Sequence, residues 1–183
     1  MVPIVKEFYA NMLGQEKKTI WVRNALIRLD LRVINTFYNL PSDVECEYSK
    51  LIANMTDKTW NKVLKALTIE GTPWANEEGR VINRIDIKLV AKVWVKFLKY
   101  RMMPTTHTTT VSQERLVLLY VIVQGLPLDV GAIIQREIRE CAMKQHKTIT
   151  LLFPSLITSL CLVSRVWATI QDEHIKNAGA LNA

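Results

Sequence analysis

From Asp86 to Met102 the apolar residues Leu89, Val90, Val93, Trp94, Phe97 and Leu98 recur at steps of three and four, and Pro104 closes the run. Such steps put side chains on one side of a 3.6-residue turn, so the segment can bury that side only as an α-helix. Lys88, Lys92, Lys96 and Lys99 follow at steps of four, four and three. They are expected opposite the Trp94 side, which is left for the core. A chain organised around this helix is expected to be mainly α.

The remaining segments repeat the pattern. Val2 to Leu13 carries Ile4, Val5, Phe8 and Leu13 near one face, with Pro3 suited to a first turn and Gly14 to a stop. Thr19–Val22 and Ala25–Leu29 are short, β-branched and aromatic, and Arg23-Asn24 between them suits a tight turn, so a small hairpin near the N-terminus is expected. Asp30 offers an N-cap for Leu31 to Tyr38, with Ile34, Phe37 and Tyr38 facing inward and Asn39-Leu40-Pro41 closing the helix. Ser42 or Asp43 can cap a helix reaching about Asn54, and Thr56 or Asp57 can cap one through Trp60, Val63, Leu64 and Leu67. Ser112, Asp129 and Pro154 open three more, and Gly125 before Pro127 stops the first of these. Ile133, Ile134, Ile138 and Cys141 are expected on an inner side.

At 183 residues and 49% hydrophobic, the chain has enough apolar surface for one sizeable core. The expected organisation is one helical domain over residues 1–183. Residues 70–85, rich in Gly, Pro and Asn, form the one internal boundary, and Trp74 pins that loop to the body; residues 174–183 are a fraying tail. The longest apolar runs, Leu116 to Val123 and the interrupted Ile149 to Val163, fall short of the roughly 18–20 residues that span a bilayer. No basic, apolar and small-residue leader opens the chain, which argues against secretion and against a membrane partner. Cys46, Cys141 and Cys161 cannot all pair, and the last two lie in apolar helical patterns where a thiol acts as a small hydrophobe. Reduced cysteines in an intracellular compartment, nuclear or cytoplasmic, are the simplest reading.

Charge is uneven. Residues 1–103 hold 17 Lys and Arg against 11 acids, whereas residues 104–183 hold 7 against 6, so nearly all of the net +7 lies in the first part. Lys88, Lys92, Lys96 and Lys99, with Arg101 adjacent, form a row with no acid between, and Lys58, Lys62 and Lys65 form a shorter one. Like charges at these spacings cost roughly a few tenths of a kcal/mol per pair, a cost that an anionic partner would answer. With Lys17, Lys18, Arg23, Arg28 and Arg32 the two rows could supply a phosphate-binding surface for DNA or RNA. The plainer explanation is that the lysine stems cover helix flanks while their heads stay in water. With Trp94 on the apolar side, no aromatic residues interleave with the cations.

Catalytic and metal patterns are weak. Two-metal phosphoryl transfer needs several converging carboxylates, but Asp30, Asp43, Asp57, Asp86 and Asp129 stand where helices begin and read as caps. Glu137 and Glu140 alternate with Arg136 and Arg139, as on an exposed helix face. His107 has no neighbouring nucleophile and orienting partner and reads as a loop residue whose imidazole bonds to backbone. Cys141 and His146 match no ligand spacing for zinc. No enzyme, metal or cofactor is expected.

Particular motifs carry a resemblance. Pro104-Thr105-Thr106-His107, Leu118-Leu119-Tyr120, Val130-Gly131 and Leu152-Phe153-Pro154-Ser155-Leu156-Ile157-Thr158 occur in order, preceded by Val22-Arg23, Ile34-Asn35, Leu40-Pro41 and Ala91-Lys92-Val93-Trp94. Together they resemble the putative plant transposon protein domain, a family found within or beside plant retroelements. The resemblance spans nearly the whole chain and fades after Thr158, where Arg165-Val166-Trp167 replaces a Gly-Val stretch. In that family Val5-Lys6-Glu7-Phe8-Tyr9-Ala10-Asn11 follows further upstream sequence, which implies an excerpt of a longer frame. It brings no catalytic residue.

Two functions from different classes follow. One is a non-enzymatic, retroelement-derived helical domain that binds nucleic acid nonspecifically through Lys88, Lys92, Lys96, Lys99, Arg101, Lys58, Lys62 and Lys65. The other is a protein-interaction or self-association module whose lysines only solubilise it. The second expects an exposed apolar patch, sought around Ile149 to Phe153.

Overall fold

Arg23 and Asn24 both take positive φ, 45° and 64°, the left-handed pair that a two-residue hairpin turn requires. The computed structural model describes residues 2–12, 19–42, 44–105, 107–143 and 151–167. Leu13, Gly14, Lys17, Lys18, Asp43, Thr106, His146, Ile149 and residues 174–183, all used in the sequence reading, lie outside those residues. Among the described residues there are eight α-helices, which gives the mainly helical fold expected, with the small antiparallel hairpin near the N-terminus. The chain divides into two compact units, Met1–Ser42 with Gly131–Ala183, and Asp43–Val130. The loop around Trp74 lies inside the second.

The first unit is built on the hairpin. Strands β1 (Thr19–Val22) and β2 (Ala25–Arg28) pair antiparallel, with Ile20 opposite Ile27 and Trp21 opposite Leu26. Alternation sends Ile20, Val22 and Ile27 inward against helix α1 (Val2–Met12) and helix α8 (Pro154–Val163), while Trp21 and Leu26 face solvent. On α1, Ile4, Val5, Phe8, Tyr9 and Met12 are buried. The Tyr9 hydroxyl donates to the Leu152 carbonyl at 2.8 Å, and burial beside Cys141 pushes its pKa well above the usual tyrosine range.

Helix α2 (Leu31–Tyr38) begins at Asp30, whose carboxylate accepts the Val33 N–H at 3.0 Å, and ends at left-handed Asn39, as expected. Its inner side differs from expectation. Ile34 and Asn35 are buried, while Phe37 and Tyr38 are exposed and stack edge to face on each other. Over only eight residues the inward arc holds about two side chains, and it centres three positions before the aromatic pair, about 60° round the helix from it. Helix α7 (Val130–Met143) buries Ile133, Ile134, Ile138 and Cys141, as expected, and Gln135 donates to the Leu29 carbonyl at 2.8 Å. Glu137 was expected on an exposed face, yet it is only 8% exposed, with Arg136 donating to its carboxylate at 3.2 Å. A neighbouring guanidinium lets the carboxylate tolerate burial. Cys161 on α8 is buried and free, and burial lifts its thiol to about 11.

The second unit surrounds helix α6 (Gln113–Val123). Leu116, Val117, Leu118, Leu119 and Val121 are all buried, so α6 is apolar around its circumference and takes the centre. Helices α3 (Glu47–Ala53), α4 (Asp57–Leu67) and α5 (Leu89–Phe97) pack on it. Helix α3 starts at Glu47 rather than near Ser42, where the Glu47 N–H donates to the Pro127 carbonyl at 3.0 Å. Thr56 caps α4, accepting from the Thr59 N–H at 3.3 Å. Ser112 stands at the N-cap position of α6, but its hydroxyl accepts from Arg115 at 3.0 Å instead of capping. Gly125 at φ 64° lets the Leu126 N–H reach back to Val121 at 3.0 Å and stops the helix.

Trp74 does pin its loop. It meets Trp60 edge to face at 5.9 Å, and Arg80 lies over its ring while bonding Asp57 at 2.5 Å. A second ribbon, unexpected from sequence, pairs β3 (Ile82–Asn83) with β4 (Thr110–Val111). No described helix is long and apolar enough to cross a membrane.

Candidate functional site

Between Ile87 and Gln113 the chain has no acidic residue, and helix α5 occupies the middle of that stretch. A 3₁₀ turn, Arg84–Asp86, and an antiparallel bridge from Thr68 to Ile87 deliver the chain to its start. Its end widens into a π-helical turn, Leu98–Met102, closed by the Met103 N–H on Leu98 at 2.8 Å. Arg115 of α6 locks that exit by donating to the carbonyls of Met103 and Pro104 at 3.0 and 3.2 Å.

The face that α5 buries is not the expected one. Ala91, Val95, Leu98 and Met102 form the inner stripe, each 6% exposed or less. Of the six residues expected inside, only Leu98 is buried; Leu89, Val90 and Val93 are 69–80% exposed, and Trp94 and Phe97 about 40%. Size explains the choice. A helix settles closest to an apolar neighbour along its smaller side chains, and Ala91 and Val95 allow an approach to α6 that Trp94 and Phe97 would prevent.

The eight sequence-derived cations fall as follows. At about 100° per residue, Lys88, Lys92, Lys96 and Lys99 share an arc of about 80° that adjoins the buried stripe, instead of standing opposite an apolar core face. Lys92 and Lys99 are partly covered, Lys88, Lys96 and Arg101 exposed. Lys58, Lys62 and Lys65 are exposed on α4. The two rows meet where the Lys88 ammonium donates to the carbonyls of Lys65 and Ala66 at 2.8 and 3.0 Å. None of the eight is ion-paired with a described residue. Arg23, Arg28 and Arg32 belong to the other unit, where Arg23 pairs with Glu7 and Arg28 with Asp30.

Aromatics do interleave with these cations, contrary to the sequence reading. Trp94 and Phe97 meet edge to face at 5.8 Å, and Lys99 lies 5.2 Å from the Tyr100 ring centre. Val93, Lys96, Phe97, Tyr100 and Arg101 line a surface recess of about 540 Å³. Ile85, on the turn before α5, is also exposed. The outcome is a helix with one narrow face in the core, a lysine flank and a broad apolar face toward solvent.

Sequence reasoning missed this face, although its signal was present. Leu89 through Leu98 place apolar side chains over about 240° of the helix, more than twice the width that one packing contact uses. The patch sought at Ile149 to Phe153 is not matched by its described part, since Leu151, Leu152 and Phe153 are half-buried.

Among the described residues the candidate acids are spread over separate elements. Asp30 caps α2, Asp57 pairs with Arg80, and Asp86 lies in the 3₁₀ turn. His107 is exposed, and its main-chain N–H, not its imidazole, makes the loop bond, to the Thr105 hydroxyl at 3.2 Å. Among the described residues no three His, Cys, Asp or Glu side chains are grouped to hold a metal. The chemistry on offer at α5 is apolar contact edged by positive charge.

Residues 2–166 match the family model described as Putative plant retrotransposon-related domain. No curated protein and no solved structure matches the chain.

Proposed function

The chain belongs to the plant retrotransposon-related domain family, and from that premise we propose that it works without catalysis, as a helical docking domain whose working surface is the outer face of α5. One observation carries the reading. Leu89, Val90 and Val93 project into solvent beside Trp94 and Phe97, forming a contiguous apolar face on a stably packed helix. Water-exposed apolar faces of this breadth are uncommon on monomers and are usually contact surfaces. Three cysteines outside any disulfide among the described residues, two of them buried, suit an intracellular site of action.

Light scattering of the purified chain across concentration and salt tests the reading. High salt screens the lysine flank and strengthens apolar contact, so the mass should rise with concentration and more steeply with salt. Val93→Asp should abolish the rise while leaving the circular dichroism spectrum unchanged. A strict monomer under all conditions that also bound no amphipathic helical peptide through Val93 would count against docking.

Nucleic-acid binding is the second reading, favoured by the unpaired state of the Lys58–Lys65 and Lys92–Arg101 cations among the described residues. Its salt dependence has the opposite sign, since phosphate contacts weaken as salt rises.

A further inference from the structure

We infer that the occupant of the α5 face is an amphipathic helix with acidic flanks, contributed by another protein and not by a second copy of this chain. This rests on the docking reading above and adds the chemistry of the partner. The apolar strip from Leu89 to Phe97 follows one side of a helix for more than two turns, which matches the ridge of a second helix packed along it. At its C-terminal end Val93, Lys96, Phe97, Tyr100 and Arg101 line a shallow recess that is open to solvent. A large apolar side chain projecting from a partner helix would rest there against Val93 and Phe97.

Charge decides between partners. The stretch from Ile87 to Gln113 has five lysines and arginines and no acid, so a second copy packed through the same stretch brings no carboxylate to answer them, and in the antiparallel pairing its lysine flank meets the first. Like-charge juxtaposition at an interface is strongly selected against, whereas carboxylates on the partner's flanks would answer Lys92, Lys96 and Lys99. Nucleic acid would answer the lysines too, but it leaves Leu89, Val90 and Val93 without a contact.

The experiment uses the full chain and two synthetic, fluorescein-labelled amphipathic peptides of about 18 residues, long enough to become helical when bound. Both carry leucines at steps of three and four; one has glutamates on its flanks, the other lysines. Anisotropy at low salt should show the glutamate peptide binding at least about tenfold more tightly. Lys96→Glu with Lys99→Glu should reverse that preference, and Val93→Asp should remove binding of either peptide. Equal affinities, or no binding of the glutamate peptide, overturn the inference. If salt-promoted association dependent on Val93 persists in that case, docking stands and only the acidic partner fails. If Val93→Asp changes neither readout, docking fails with it. Tighter Val93-dependent binding to phosphatidylserine vesicles than to the glutamate peptide would assign the face to lipid and also overturn the inference.

Discussion

Lys88 donates from Nζ to the main-chain oxygen of Lys65 at 2.8 Å, so one cation of the supposed binding row is engaged in closing a helix. The last four carbonyls of α4 are all satisfied near it. Leu64 is met by the N–H and hydroxyl of Thr68, Lys65 and Ala66 by the Lys88 ammonium, and Leu67 by the Lys88 N–H. Helix C-termini leave these acceptors open and favour a positive charge beside them.

Lys88→Met should therefore lower stability by about 0.5–1 kcal/mol, since it keeps the stem and the main-chain bond and removes only the ammonium. Urea unfolding of the two proteins checks it. The same substitution should change nucleic-acid affinity less than Lys96→Met does.

Asp30 gives a pH-dependent counterpart. The Val33 N–H, and then Arg28 at 2.6 Å, hold its carboxyl below the ordinary value of 3.8. A carboxyl depressed on folding adds stability that is complete above its unfolded pKa and lost as pH falls through the folded one. Asp30→Ala should cost about 1 kcal/mol at neutral pH. The gap between variant and wild type should close as pH drops below about 4. Because Arg28 is exposed, added salt should trim the gap only slightly. Thermal melts across pH measure it.

The nucleic-acid reading makes a quantitative claim of its own. If Lys92, Lys96 and Lys99 hold phosphates, each charge removed should flatten the slope of log affinity against log salt by about 0.9 for duplex or about 0.7 for single strands. Anisotropy with labelled DNA or RNA at low and near-physiological salt gives the slope. Charge reversal of these three residues that leaves affinity untouched would sink the reading.

Much of this fold was legible because local chemistry fixes it. Arg23-Asn24 announced a hairpin, and Asp30, Thr56, Pro154 and Gly125 announced helix ends, each through bonds or dihedrals confined to a few residues. Long-range choices were not legible. The pairing of Ile82 with Val111 joins residues far apart through two-residue strands that carry no periodic signal. Glu137 reads as solvated until its packing is known, and Phe37 and Tyr38 read as core because hydrophobicity says nothing about which arc of a short helix meets its neighbours. At the candidate site the cations were identifiable and their setting was not. Periodicity established that α5 is a helix, but an apolar arc of about 240° left several ways to dock it.

That ambiguity has a direct test at two valines two residues apart. Val95 lies against α6 and is 6% exposed, whereas Val93 is 69% exposed on the opposite side. Val95→Ala removes buried methyl groups and leaves a void that α6 cannot fill without moving, for an expected cost of about 1–2 kcal/mol. Val93→Ala removes surface already in water and should change stability by less than about 0.5 kcal/mol. Their effects on association should be inverted: Val93→Ala weakens it, and Val95→Ala leaves it unchanged at temperatures where the variant is folded. Denaturation and light scattering on the same two proteins separate the core face from the docking face. Equal destabilisation by both substitutions would mean that α5 buries the Trp94 side after all, and the outer face would cease to be a binding surface.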